Sequence, residues 1–96
     1  MSARQLHDEV LIGTHPILGV RTVFVLTVIP DGAPYSVREG IARRRITTLT
    51  GRCPCGAEMN VGTPVAGKIT DADTEHADGC PAITTILAKA VRRWVR

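Results

Sequence analysis

All three cysteines of this chain fall into one arrangement with one histidine, and no other feature limits the possible folds as strongly. Cys53-Pro54-Cys55-Gly56 is followed, after twenty residues counted from Cys55, by His76-Ala77-Asp78-Gly79-Cys80-Pro81. Three thiols and one imidazole make a standard closed ligand set for a tetrahedral structural metal such as zinc. The chain has 96 residues and only three aromatic side chains, Phe24, Tyr35 and Trp94. Its core must therefore be small and aliphatic, and chains of this size commonly need a covalent or metal staple. The expectation is one zinc-stabilised domain over 1–96, with a strand-rich part over 1–45 and the metal-binding part over 46–96.

Each ligand has a local rationale. Gly56 ends a tight loop and lets backbone amides turn toward a thiolate at little steric cost. Cys80 precedes an amphipathic segment, so a helix N-terminus is expected to favour its thiolate form. His76 reaches the same metal from the turn before that helix. An iron–sulfur site with such ligands usually has wider cysteine spacing. A Cys53–Cys55 disulfide would close a strained, very small ring and would leave His76 and Cys80 unexplained. His7 and His15 stand apart from the other ligands and read as surface or turn residues.

A knuckle, a hairpin and a helix that brings the last ligand resemble the treble-clef group of zinc domains over about residues 46–96. The knuckle of that group reads Cys-Pro-x-Cys-Gly, and here it is one residue shorter. Cys53, Pro54, Cys55 and Gly56 match it, Cys80 matches the helix-borne ligand, and His76 replaces the fourth. The text is also similar to small zinc proteins of high-GC bacteria and their phages. The resemblance implies structural Zn2+ and no defined activity.

Hydropathy patterning predicts an α+β fold, a small and mainly antiparallel sheet with an amphipathic C-terminal helix. Residues 20–29 alternate β-branched and other apolar residues on both faces, which predicts a central strand covered on both sides. The opening residues suit either a short helix capped by Ser2 or a strand over 9–12. Ser36 and Glu39 fit a capping box opening a short helix, although the alternation of Tyr35, Val37 and Ile41 also suits a strand. "RITTLTGR" reads as a strand entering the knuckle, and 57–61 with 65–70 as a hairpin leaving it. From Pro81, read as a first helical residue, Ile83, Ile86, Leu87, Ala90, Val91 and Trp94 fall on one helix face.

Charge bears on function. The net charge is +3, carried by ten arginines and two lysines against nine acids. Two basic clusters stand out: Arg38, Arg43, Arg44, Arg45 and Arg52, then Lys89, Arg92, Arg93 and Arg96. They suit an acidic protein partner or, as the alternative, the phosphates of a nucleic acid, although neither is interleaved with aromatics that stack on bases. Arg52 or Lys68 is placed to offset the net −1 of three thiolates around a dication. Enzymatic zinc is not expected, because four good ligands fill the coordination shell and no His-x-Glu segment precedes a Pro-Cys-x-x-Cys segment. With no secretory leader and no apolar run of membrane length, a cytoplasmic location is expected. Oligomeric state and partner identity have no sequence signal.

Overall fold

The computed structural model describes residues 5–61 and 72–95. The chain is α+β, in the order β1 (Asp8–Thr14), β2 (Arg21–Thr27), α1 (Tyr35–Thr50), β3 (Met59–Val61), β4 (Ala72–Thr74) and α2 (Thr84–Trp94). The strands form two separate antiparallel pairs, β1 with β2 and β3 with β4. No helix among the described residues is long and apolar enough to cross a membrane.

β1 and β2 pair over all seven residues, from Asp8↔Thr27 to Thr14↔Arg21. The strand alternative for the N-terminal segment is the one observed, while Ser2 lies outside the described residues. The connection is a turn held by His15, whose Nδ1 accepts from the N–H groups of Ile17 and Leu18. Gly19, at φ 70°, closes it. Phe24 and Leu26 are buried, but Val23 and Val25 are more than 60% exposed. The expectation of a central strand covered on both sides is therefore corrected: among the described residues β2 pairs on one edge only and is covered on one face.

α1 corrects two expectations. It is a helix, yet its N-cap is Pro34 and no side chain caps it. Ser36 lies inside the helix, and Glu39 pairs with Arg43 at i+4 instead of reaching back to close a capping box. The helix also continues through the predicted strand at 46–50. Within the helix, Thr47 and Thr50 donate their hydroxyls to the carbonyls of Arg43 and Ile46, so these polar groups are satisfied there. Gly51, at φ 81°, ends it, and its N–H bonds the Thr47 carbonyl, as a left-handed C-cap does.

α2 begins at Thr84, later than expected, and presents Leu87 and Trp94 to the core. Pro81 sits instead in a turn, where Ile83 N–H bonds Cys80 C=O at 3.0 Å. The main core joins Ala33, Val37, Ile41, Leu87 and Trp94, with Ile29, Ala90 and Val91 packed against it. Gly40 marks the closest approach of α1: a Cβ there would lie 2.6 Å from the Pro81 carbonyl oxygen and 2.7 Å from Leu87 Cδ1. β3 pairs with Ala72–Thr74, and the strand expected at 65–70 lies outside the described residues. A second, smaller cluster is built from Cys53, Cys80 and Ala82, flanked by Cys55, Ala57 and Ile83.

Candidate metal centre

Three short turns bring the four expected ligands together. After the Gly51 cap, Arg52 and Glu58 form an antiparallel bridge and an ion pair at 2.9 Å. Within that bridge, Gly56 N–H bonds Cys53 C=O at 2.9 Å and Cys53 N–H bonds Ala57 C=O at 2.9 Å. Pro54 is the second residue of this turn, where its fixed φ is preorganised. Gly56 takes a φ of 98° that other side chains rarely adopt. The one-residue-short knuckle is thus a single β-turn with both cysteines in it.

The second half of the site is a pair of successive turns. Cys80 N–H bonds Ala77 C=O at 3.0 Å, with Gly79 at φ 78° in the third position as a type II turn requires. The turn from Cys80 to Ile83 follows directly. Cys80 therefore precedes the helix instead of opening it, which corrects the expected role of the α2 dipole. The positive group at this sulfur is Arg43 of α1, whose Nη1 lies 3.7 Å from Cys80 Sγ.

The ligand atoms of Cys53, Cys55, His76 and Cys80 all lie within 4.8 Å of one another. Cys53 Sγ and Cys80 Sγ are 3.8 Å apart. His76 Nδ1 is 3.6 Å from Cys55 Sγ and 3.7 Å from Cys80 Sγ. A tetrahedral ion held about 2.3 Å from sulfur and about 2.0 Å from nitrogen requires edges of about 3.7 Å and about 3.5 Å. These three of the six separations match those edges, and all three cysteines are free thiols. Cys53 and Cys80 are buried while Cys55 and His76 are half-buried, so the group can hold a metal ion at the edge of the small cluster.

The thiols differ in their electrostatics. Burial pushes the Cys53 thiol up from its ordinary value. Burial also opposes ionisation of Cys55, but hydrogen bonds from the Ala77 and Ala57 backbone, with His76 beside it, lower it from about 9 to about 6. Ala77 N–H lies 3.4 Å from Cys55 Sγ. A depressed thiol stabilises the folded state fully above the unfolded value of about 8.5 and loses that contribution as pH falls. The ligand-competent thiolate of Cys55 thus persists down to about pH 6. Because a bound ion replaces the proton on each thiol, metal occupancy followed by native mass spectrometry is expected to hold at pH 7 and to fall on acidification. Loss of metal on raising the pH from 6 to 8 would contradict this assignment.

The first basic cluster does not form one surface. Consecutive helical residues point about 100° apart, and the three arginines act in three directions. Arg43 bonds Glu39 at 2.9 Å in addition to its contact with Cys80. Its guanidinium is held charged, first by Glu39 and then by Cys80. Arg44 donates to Ala82 C=O and to Thr84 Oγ1, at 3.0 Å and 2.9 Å. Arg45 donates to Thr27 C=O at 2.8 Å and pairs with Glu9, tying α1 to the β1–β2 hairpin. Arg52 is engaged by Glu58, and Arg38 is exposed.

In the second cluster, Lys89, Arg92 and Arg93 are exposed on α2. Lys89 and Arg93 border one groove with Pro34 and Ser36, whereas Arg92 borders another with Arg44 and Arg45. Arg96 and Lys68 lie outside the described residues. The residue that sequence reasoning missed at the metal site is Arg43: it was grouped with partner-binding arginines, and only its helical position relative to Cys80 reveals its part. Comparison with known proteins finds no matching family model, no similar curated protein and no similar solved structure.

Proposed function

We propose that this chain is a non-enzymatic binding module stapled by structural Zn2+, with Cys53, Cys55, His76 and Cys80 as the four ligands. The observation that carries the reading is the set of ligand separations, 3.6–3.8 Å among the three pairs above, which suits a closed tetrahedral shell. Zinc in that shell supplies a cross-link between the knuckle and the 76–83 turns. The residues around it serve support: Ala77 N–H and Arg43 point at the sulfurs, as groups that stabilise thiolates do. Four protein ligands leave no coordination position for a substrate, which favours a structural over a catalytic role. The treble-clef resemblance is part of the same proposal.

The partner is an acidic surface on a larger protein assembly, met through exposed cations. Diversion of Arg43 and Arg45 into half-buried internal contacts, with Arg44 tied to Ala82 and Thr84 but still exposed, weakens the alternative of phosphate binding through that cluster and shifts the docking surface to Lys89, Arg93 and Arg38. The test is capture of partners by the zinc-loaded chain, with and without nuclease, against a Lys89→Glu/Arg93→Glu variant. The expected result is a complex that survives nuclease and loses about tenfold or more in affinity in the variant. Loss on nuclease treatment, with a steep salt dependence, would support nucleic acid and overturn the acidic-protein reading.

A further inference from the structure

The outer face of the β1–β2 hairpin is apolar and uncovered among the described residues. Val10, Ile12, Val23 and Val25 are 63, 62, 62 and 65% exposed. They belong together, because Val10 is directly opposite Val25 and Ile12 opposite Val23. Two adjacent cross-strand pairs on one face form a compact, flat rectangle. The inner face, with Phe24 and Leu26, is the one that packs on the body of the protein. An isolated two-stranded pair is marginal in water, and apolar residues on both of its faces, Leu11, Phe24 and Leu26 against Val10, Ile12, Val23 and Val25, are suited to cover on both sides.

We propose that a second copy of this chain covers that face, giving a two-fold dimer in which two hairpins stack face to face. The argument for self-association is the symmetry of the patch. Asp8 is opposite Thr27 at one end of the hairpin and Arg21 is opposite Thr14 at the other, so the acid and the base of this face stand at diagonal corners. A two-fold axis lying in the interface and running across the strands reverses strand direction. It thereby sets Asp8 of each copy against the end that carries Arg21 of the other. The rim is neutral overall and complementary to itself, whereas a surface made for a charged partner would carry one sign.

Size agrees with this occupant. The four aliphatic side chains present on the order of 400 Å² of apolar surface, the scale at which a patch on a monomer marks an interaction site. Asp8, Thr14 and Arg21, all exposed, extend the face toward the roughly 800 Å² per partner of a standard interface. Stacked sheets place strands about 10 Å apart at a small angle, which lets the β-branched side chains interdigitate.

Sedimentation of the full, zinc-loaded chain across micromolar concentrations tests the proposal. The expected species has twice the 10.3 kDa chain mass. Val23→Asp, at an exposed position, is expected to raise the dimer Kd by about 100-fold or more. Asp8→Arg or Arg21→Asp alone is expected to raise it by roughly tenfold, and the double reversal to restore it to within about threefold. Should Val23→Asp fail to fold, the charge-reversal series carries the test unaided. A chain that stays monomeric throughout, a dimer indifferent to Val23→Asp, or a double reversal no better than the singles would each overturn it.

Discussion

Replacing Cys80 by serine is expected to unfold the metal-binding part and to lower Tm by on the order of 20 °C or more. The reason lies in the composition of the second cluster: of the three residues buried there, two are the proposed ligands Cys53 and Cys80, and Cys55 flanks them. Removing the metal leaves Ala82, Ala57 and Ile83 to hold together two sets of turns and a pair of three-residue strands. That is too little apolar burial to offset the ordering of the backbone involved. Structural zinc binding is worth about 10–16 kcal/mol in small domains, and that free energy is folding free energy. A shift of about 1 kcal/mol moves Tm by about 4–8 °C in a chain of this size, so even a partial loss is large. Hydrogen exchange is expected to lose protection over 53–61 and 74–83, while α1 residues near Val37 and Ile41 keep more of theirs. Chelation of the wild-type protein should reproduce the pattern. Unchanged Tm and protection after both treatments would remove the basis for a structural metal.

The second large effect is expected at Gly40, in the opposite sense to its helix propensity. An alanine in place of glycine at an open helical position stabilises by about 1 kcal/mol. At Gly40 the added methyl group would lie 2.6 Å from a backbone oxygen of Pro81, and backbone cannot rotate aside as the end of a side chain can. Either α1 moves away from Leu87 or the Cys80–Ile83 turn moves, and the second course displaces a ligand. Gly40→Ala is therefore expected to destabilise by about 2–3 kcal/mol, the range of overpacked cores. Its Tm should fall by about 10 °C or more, with weaker metal retention at equal chelator concentration. A variant more stable than wild type would show that α1 and the turn are not in contact at this point.

The grouping of Cys53, Cys55, His76 and Cys80 was legible because cysteines are rare in this chain and its turn residues, Pro54, Gly56, Gly79 and Pro81, adjoin all three of them. The α+β class was legible from the strong pattern of α2 and the β-branched run of β2. The length of α1 was not, because Ile46, Thr47, Thr48, Leu49 and Thr50 read as strand until the back-bonded threonine hydroxyls and the Gly51 cap are seen. That one misreading propagated. With 43–45 placed at the end of a short helix, the arginines look like a surface cluster; on a sixteen-residue helix they diverge to Cys80, to Ala82 and to Thr27. Gly40 reads as a weakness of the helix because a close approach by residues as distant in sequence as Pro81 and Leu87 leaves no local trace. The apolar pattern on both faces of β2 was read as central burial, and the described structure supplies cover for only one face.

X-ray absorption at the metal edge, with native mass spectrometry of the same sample, tests the central claim most directly. The account predicts one zinc per chain with three sulfur ligands at about 2.3 Å and one nitrogen at about 2.0 Å. A folded protein without metal, or a shell dominated by oxygen, would contradict it.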